Sequence, residues 1–296
     1  MSNPINLSVE SPSTYQALTE ATQGNGITYD LWRGFPFLES LIYRDSNVGF
    51  GVYPNFANYN MEQGTVAFMG SDGVSVVKDA SNTISPLTKA LGGIGGGIRI
   101  AQHATDNHET YMQWCGTTGS PFVISDTAAE MRDLIFEFAF RTSTITATHS
   151  SFFIGLAEET MAAADAMADN SGLLADKDFV GVFAQEDTGN KLDIIYRING
   201  GAQQTVKADW QTLVAATWYH VGMHFNTVTG TVTFWFGPGS RATAMEPDMV
   251  NIITAANIAA VTFPDGQGLA PFFGIKQSSA NGCNFDIRLL ACAQKA

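Results

Sequence analysis

Several groups of residues in this sequence could do chemistry, and their spacing decides which of them can. His220 and His224 stand four apart, which on a helix would place both imidazoles on one side for a zinc ion. On a strand the same spacing is about 13 Å, too far to share one ion. The stretch Trp218 to Asn226 alternates with strand period, so the two histidines read as polar residues on a solvated or interfacial face. His103 and His108 flank a loop without the Cys or acidic neighbours of a ligand set. Asp165, Asp169, Asp176 and Asp178 have calcium-compatible side chains but not the spacing of a calcium loop, and read as a solvated loop. The run Gly92 to Gly97 lacks the Lys and Ser/Thr of a phosphate loop and leads into a strand, so it reads as a flexible entry to that strand.

Acid pairs and nucleophiles fare no better. Glu158 and Glu159 are adjacent and would face opposite ways on a strand, while Glu137 has no acid two residues away. No G-x-S-x-G string is present. Acids from separate strands could still converge, so an enzyme is disfavoured and not excluded. No catalytic residue, metal or cofactor is expected. Cys115, Cys283 and Cys292 are too few and too scattered for a disulfide framework and read as small buried hydrophobes.

Composition bounds the partners. Fifteen Lys and Arg against 28 Asp and Glu give a formal charge of −13, with only 15% charged residues. A nucleic-acid partner needs clustered cations and is not expected. No run approaches the roughly 18 apolar residues of a membrane span, and Met1 to Glu10 lacks the features of a signal peptide. Neither a membrane nor Sec export is expected, so synthesis in a cytoplasm is.

Two kinds of segment must position these residues. Up to about residue 90, Tyr29, Trp32, Phe35, Phe37, Tyr43, Phe50 and Tyr53 are interleaved with Gly, Pro and Asn without a sustained period. This segment, 1–90, is expected to be an extended arm that buries its rings against its own domain or another protein. From 91 to 296 short apolar stretches alternate with turn residues. Leu134, Phe136, Phe138 and Phe140 share one strand face opposite Glu137 and Arg141, and Leu192, Ile194 and Tyr196 share another. Val221, Met223 and Phe225, then a turn, then Val232, Phe234 and Phe236 predict a hairpin whose other face carries Trp218, His220, His224, Thr231, Thr233 and Trp235. About a dozen such strands predict an all-β, two-sheet antiparallel sandwich. One helix is predicted, over Glu158 to Ala168, from its Ala and Met content.

The stretch TWYHVGMHFNTVTGTVTFWFG (Thr217 to Gly237) and the closing NFDIRLLAC (Asn284 to Cys292) resemble the concanavalin A-like lectin/laminin-G jelly roll. LIFEFAFRTS and FFIGLAEE resemble its preceding strands, and the resemblance spans roughly two thirds of the chain. With LLADKDFVGVF (Leu173 to Phe183) and the aromatic N-terminal segment, the whole is similar to tailed-phage virion proteins of this fold, the capsid decoration and head-fibre proteins. That resemblance implies a non-enzymatic homo-oligomer, dimer or trimer, that binds the major capsid protein on the virion surface and reinforces the shell. The metal residues of the lectins are not recognisable, so glycan binding is not carried over. Trp32, Phe35, Phe37 and Tyr43 are the expected anchors, with packing on their own domain the other reading. Trp218, His220, His224 and Trp235 form a second candidate face toward a neighbouring subunit, a glycan or water. A carbohydrate-binding tail-fibre or head-fibre protein is the first alternative, and a glycan hydrolase or lyase the second.

Overall fold

The computed structural model describes residues 29–32, 49–52, 66–69, 74–87, 97–115, 119–146, 150–163, 165–168, 173–185, 190–238, 245–278 and 281–296. The one-turn helix α1 is Tyr29–Trp32. The first strands are β1 Gly49–Val52, β2 Val66–Met69, β3 Val74–Lys78, β4 Thr83–Pro86, β5 Ile98–Ala101 and β6 Glu109–Trp114. Next come β7 Phe122–Val123, β8 Leu134–Thr142, β9 Ser150–Ala157, β10 Phe179–Ala184, β11 Lys191–Arg197 and β12 Gln204–Thr212. The chain closes with β13 Tyr219–Asn226, β14 Thr231–Pro238, β15 Glu246–Ile253, the short helix α2 Ala255–Ile258, β16 Gly268–Gln277 and β17 Asn284–Lys295.

These strands form two antiparallel sheets. The first runs β15-β14-β13-β8-β17-β5-β4, with β1 also on β17; the second runs β12-β11-β10-β9-β16-β6-β3-β2, with β7 on β16. The strand periodicity of the sequence explains their pairing. In the hairpin β13–β14 the register sets Val221 opposite Phe236, Met223 opposite Phe234 and Phe225 opposite Val232, so the predicted apolar face is continuous across both strands. It meets the apolar face of β8, where Phe138 stacks on Phe273 of the other sheet at 5.7 Å and Phe140 on Phe285 at 5.4 Å. Each fully buried Phe contributes about 1.5–3 kcal/mol. One edge of the sandwich is tied by a polar bond between sheets, Trp210 Nε1 of β12 donating to Asp248 Oδ2 of β15 at 2.8 Å.

Each stretch predicted as a strand from Gly97 onward carries one. The N-terminal segment departs from a plain extended arm, because β1 to β4 pair within both sheets. Phe50 packs on Phe122 at 5.1 Å, so this ring lies half-buried against its own domain. The composition change near residue 90 is therefore not an edge of the sandwich. Strand β15 was not predicted; its run Glu246–Ile253 shows no apolar alternation, and a register shift interrupts its pairing with β14.

The helix predicted over Glu158 to Ala168 does not form. Thr160 and Asp165 take positive φ, 66° and 60°, which a helix cannot accommodate. The segment instead lies on the outer face of the second sheet, where Met161, Ala166, Met167 and Leu174 bury Tyr111, Phe153, Phe179 and Phe272. Burial on that apolar face outweighs the helix propensity of Ala and Met. The Phe153 ring crosses Gly155 and Gly181, paired on neighbouring strands; a Cβ at either would stand 2.9 or 2.8 Å from its Cζ.

Two measurements check this architecture. Gly155→Ala forces a methyl between backbone and ring, and urea denaturation is expected to show a loss of about 1–3 kcal/mol; an unchanged midpoint would refute the close approach. Burial opposes the charge of Asp248, but hydrogen bonds from Asn251, Trp210 and Val250 prevail and hold its pKa at about 2. Because this lies below the roughly 3.9 of an unfolded Asp, the stabilisation is complete above about pH 4 and is lost as pH falls toward 2. Asp248→Asn is expected to lower stability at pH 7 and to flatten that acid limb; a parallel pH profile would contradict it.

Candidate functional site

The outer face of the first sheet gathers most of the residues singled out in the sequence. Its centre is Glu137, outward on β8 and 0% exposed. A carboxylate so buried needs partners for both oxygens. Oε2 accepts the indole Nε1–H of Trp32 at 2.7 Å, and Oε1 stands 3.0 Å from His220 Nδ1 on the adjacent strand. The contact to a carboxylate assigns the proton to Nδ1, which donates. Trp32 is 4% exposed and His220 2%. The sequence allows this seat through Gly222, where a Cβ would come within 2.6 Å of Leu31 Cδ2 and 2.9 Å of Met245 Cε and make both side chains shift. Leu31 and Trp32 then bury Ile135, Ala139, Leu289, Ala291 and Ala293, with Met245 and the half-buried Trp235 alongside.

A second group crosses the same face in one line. Register places Asp286 of β17 between Arg99 of β5 and Arg141 of β8. Arg99 donates from Nε and Nη2 to the two Asp286 oxygens at 2.7 and 2.8 Å, and Arg141 from Nη2 to Oδ2 at 2.5 Å. Trp218 lies at the end of this row, 8% exposed, with the Arg288 guanidinium 4.1 Å and that of Arg141 5.0 Å from its ring centroid. The hydrogen bonds to Asp286 raise the pKa of Arg99 further. Burial and the neighbouring Arg141 lower that of Arg288, against the pull of Asp286.

The predicted contact residues thus divide. Trp32, Trp218 and His220 are buried, each less than a tenth exposed. His224 and Trp235 are half-buried. Burial pushes the His224 pKa down, with Lys295 adding to this and Asp133 opposing it. The Trp235 Nε1–H is buried with no hydrogen-bond acceptor among the described residues. Phe35, Phe37 and Tyr43 lie outside the described residues. Sequence reasoning placed Glu137 and Arg141 on the outward phase of β8 but gave them no partners, and it did not single out Arg99, Asp286 or Arg288. Only strand order and register bring these together.

The remaining candidates have structural duties. Glu109 takes Tyr111 Oη–H at 2.7 Å and the Asp165 amide at 2.8 Å, and Lys276 donates to Met167 O at 3.0 Å, pinning the segment that covers the second sheet. Asp176 and Asp178 accept the Gly200 and Asn199 amides; Asp169 lies outside the described residues. The His103 and His108 rings are 5.4 Å apart, and His103 Nδ1 contacts Thr105 Oγ1 at 2.8 Å. Among the described residues no group of three or more His, Cys, Asp or Glu could hold a metal. Cys283 and Cys292 are buried and Cys115 half-buried.

Trp32→Phe keeps an aromatic ring, though a smaller one, and deletes the hydrogen bond to Glu137. It is expected to cost about 1–3 kcal/mol in chemical denaturation, the penalty of a buried acceptor left short of a donor. The same stability as the parent would show that the bond carries nothing.

No protein-family model matches the sequence, and no curated protein matches it either. Solved structures do. A protein of unknown function from Shewanella oneidensis MR-1 aligns over 100% of this chain and 97% of its own, at 13% identity and a TM-score of 0.54. Peanut lectin, solved with a nine-residue peptide, aligns over 82% of this chain and 97% of its own at 13% identity and a TM-score of 0.51. Lectin II from Ulex europaeus aligns over 83% and 99% at 12% identity, also with a TM-score of 0.51. At such identities the likeness concerns fold alone. The chain has the concanavalin A-like jelly-roll fold of the legume lectins.

Proposed function

We propose that the protein is a non-catalytic carbohydrate-binding protein. The observation that carries this reading is the two-sheet sandwich itself, aligned over more than four fifths of its length with legume lectins. The side chains support the non-catalytic part. Glu137, Glu109 and Asp286 are each committed to short bonds that hold covering segments or strands in place. Glu158 and Asp178, an acid pair on the second sheet's cover, close that segment: the Asp178 amide donates to Glu158 Oε2 at 3.1 Å, and Lys177 binds Oε1 at 2.7 Å. The shell-decorating role implied by the sequence resemblance is not carried into this reading, because the described anchor Trp32 is spent on Glu137 inside the protein.

The test is a glycan array with purified protein, followed by calorimetry on the best hits. Saturable binding restricted to related sugars is expected, with no release of shorter products on prolonged incubation. A blank array over neutral and acidic glycans alike would overturn the reading, and product release would replace it with an enzyme.

A further inference from the structure

We infer that His103 and His108, at one end of the sandwich, form a binding site for a divalent transition-metal ion of the zinc class. The inference stands apart from the carbohydrate-binding reading. In sequence the two histidines lack the Cys or acidic neighbours of a ligand set, and it is the fold that sets them beside each other. Their ring centroids are 5.4 Å apart and the rings are tilted by 34°. An ion about 2.0–2.1 Å from a ring nitrogen lies roughly 3.2 Å from that ring's centre, so two imidazoles sharing it at a near-tetrahedral angle have centres about 5.2 Å apart. The separation of His103 and His108 is therefore that of two ligands on one ion.

The backbone that carries the pair is fixed on both sides. Asn82, 0% exposed, accepts the His103 amide on its Oδ1 at 2.8 Å. Its Nδ2 donates to Gln102 Oε1, just past β5, at 2.6 Å and to Thr110 Oγ1 of β6 at 3.2 Å, so one side chain ties the loop to both sheets. Asn107 takes a φ of 65°, which Asn tolerates, and donates its amide to Gln277 O at 2.8 Å, while the Gln277 amide donates to His108 O at 2.7 Å. These bonds return the chain so that His108 comes back beside His103.

The ring nitrogens are placed for the task. His103 Nδ1 lies 2.8 Å from Thr105 Oγ1, which leaves Nε2 for an ion and orients the ring by the kind of outer bond that metal-bound imidazoles keep. His108 Nδ1 is buried with no hydrogen-bond partner among the described residues, and an ion at its lone pair would satisfy it. Gln277 Oε1 and Ser278 Oγ are also buried without a partner, on the strand end that pairs with His108, and are acceptors for water carried by the ion. His103 is exposed and His108 half-buried, so the site opens to solvent. No third His, Cys, Asp or Glu completes the set among the described residues, so water takes the remaining positions. Imidazole nitrogens suit zinc, copper and nickel, whereas calcium takes oxygen ligands. The chain's charge of −13 draws cations toward it.

His103 and Thr105 are both exposed, so either can be replaced without opening the core. The experiment titrates the full chain, stripped with a chelator and dialysed, with zinc chloride and with calcium chloride by calorimetry, for the parent, His103→Gln and Thr105→Val, each with its thermal midpoint. The parent is expected to take up zinc saturably, one ion per chain, to gain in midpoint with it, and to ignore calcium. Thr105→Val is expected to weaken zinc binding by about tenfold, the usual cost of losing an outer bond, and His103→Gln by more, both at the parent's zinc-free midpoint. A parent that takes up no zinc would overturn the site. So would zinc bound equally by the parent and by folded His103→Gln, which would put the ion elsewhere, or calcium bound as well as zinc, which would remove the imidazoles from the account.

Discussion

Both sheets of this sandwich are apolar on both faces over part of their width, and water cannot be left against either outer face. Phe153, Phe179 and Phe272 project from one side, Ile135, Ala139 and Leu289 from the other, and all are buried. Two layers bury only their inner faces, so the chain must supply a third and a fourth layer. Met161, Ala166, Met167 and Leu174 cover one side and α1 the other. The glycines follow from the same demand. Gly155 and Gly181 let the Phe153 ring lie flat on the strands, and Gly222 lets Leu31 approach the sheet.

Apolar covers slide unless something fixes their position, and each here is fixed by a buried charge. Under α1 it is Glu137, satisfied by one donor from the cover and one from the sheet. Under the other cover it is Glu109 with Lys276, satisfied by Tyr111, the Asp165 amide and the Met167 carbonyl. A buried charge is weak evidence for net stability, since desolvation offsets much of the attraction. What it does provide is a penalty for every misplaced alternative, because moving the cover strands the charge. The two covers are therefore specified by polar geometry and stabilised by apolar area, a division of labour seen twice on opposite faces of one fold.

This arrangement also explains what the sequence could and could not disclose. Period-two alternation is a local property, so Leu134, Phe136, Phe138 and Phe140, or Val221, Met223 and Phe225, announce strand and inward face within a few residues. The same alternation put Glu137, Arg141, His220 and Trp235 outward, and the structure agrees. Outward was equated with accessible, however, and that step fails when a further segment covers the face. Nothing within ten residues of Trp32 indicates that its indole will meet a carboxylate 105 positions away. The Ala and Met of residues 158–168 carry a helical propensity of a few tenths of a kcal/mol each, small beside the burial of several large side chains. The short strands β1 to β4 were hidden for another reason. Four or five residues hold too few periods to stand out among Gly, Pro and Asn, and their pairing partners lie far along the chain.

The arginine row belongs to the same outer face but obeys a different logic. Near α1 the face is dry and its charge is paired out of reach. Along the line from Arg99 to Trp218 the pairing stands at the margin of solvent: Arg99 and Arg141 fork onto Asp286 from the two flanking strands and keep 23% and 17% of their side chains exposed. Register fixes this row, so its ion pairs link three neighbouring strands of the sheet across one carboxylate.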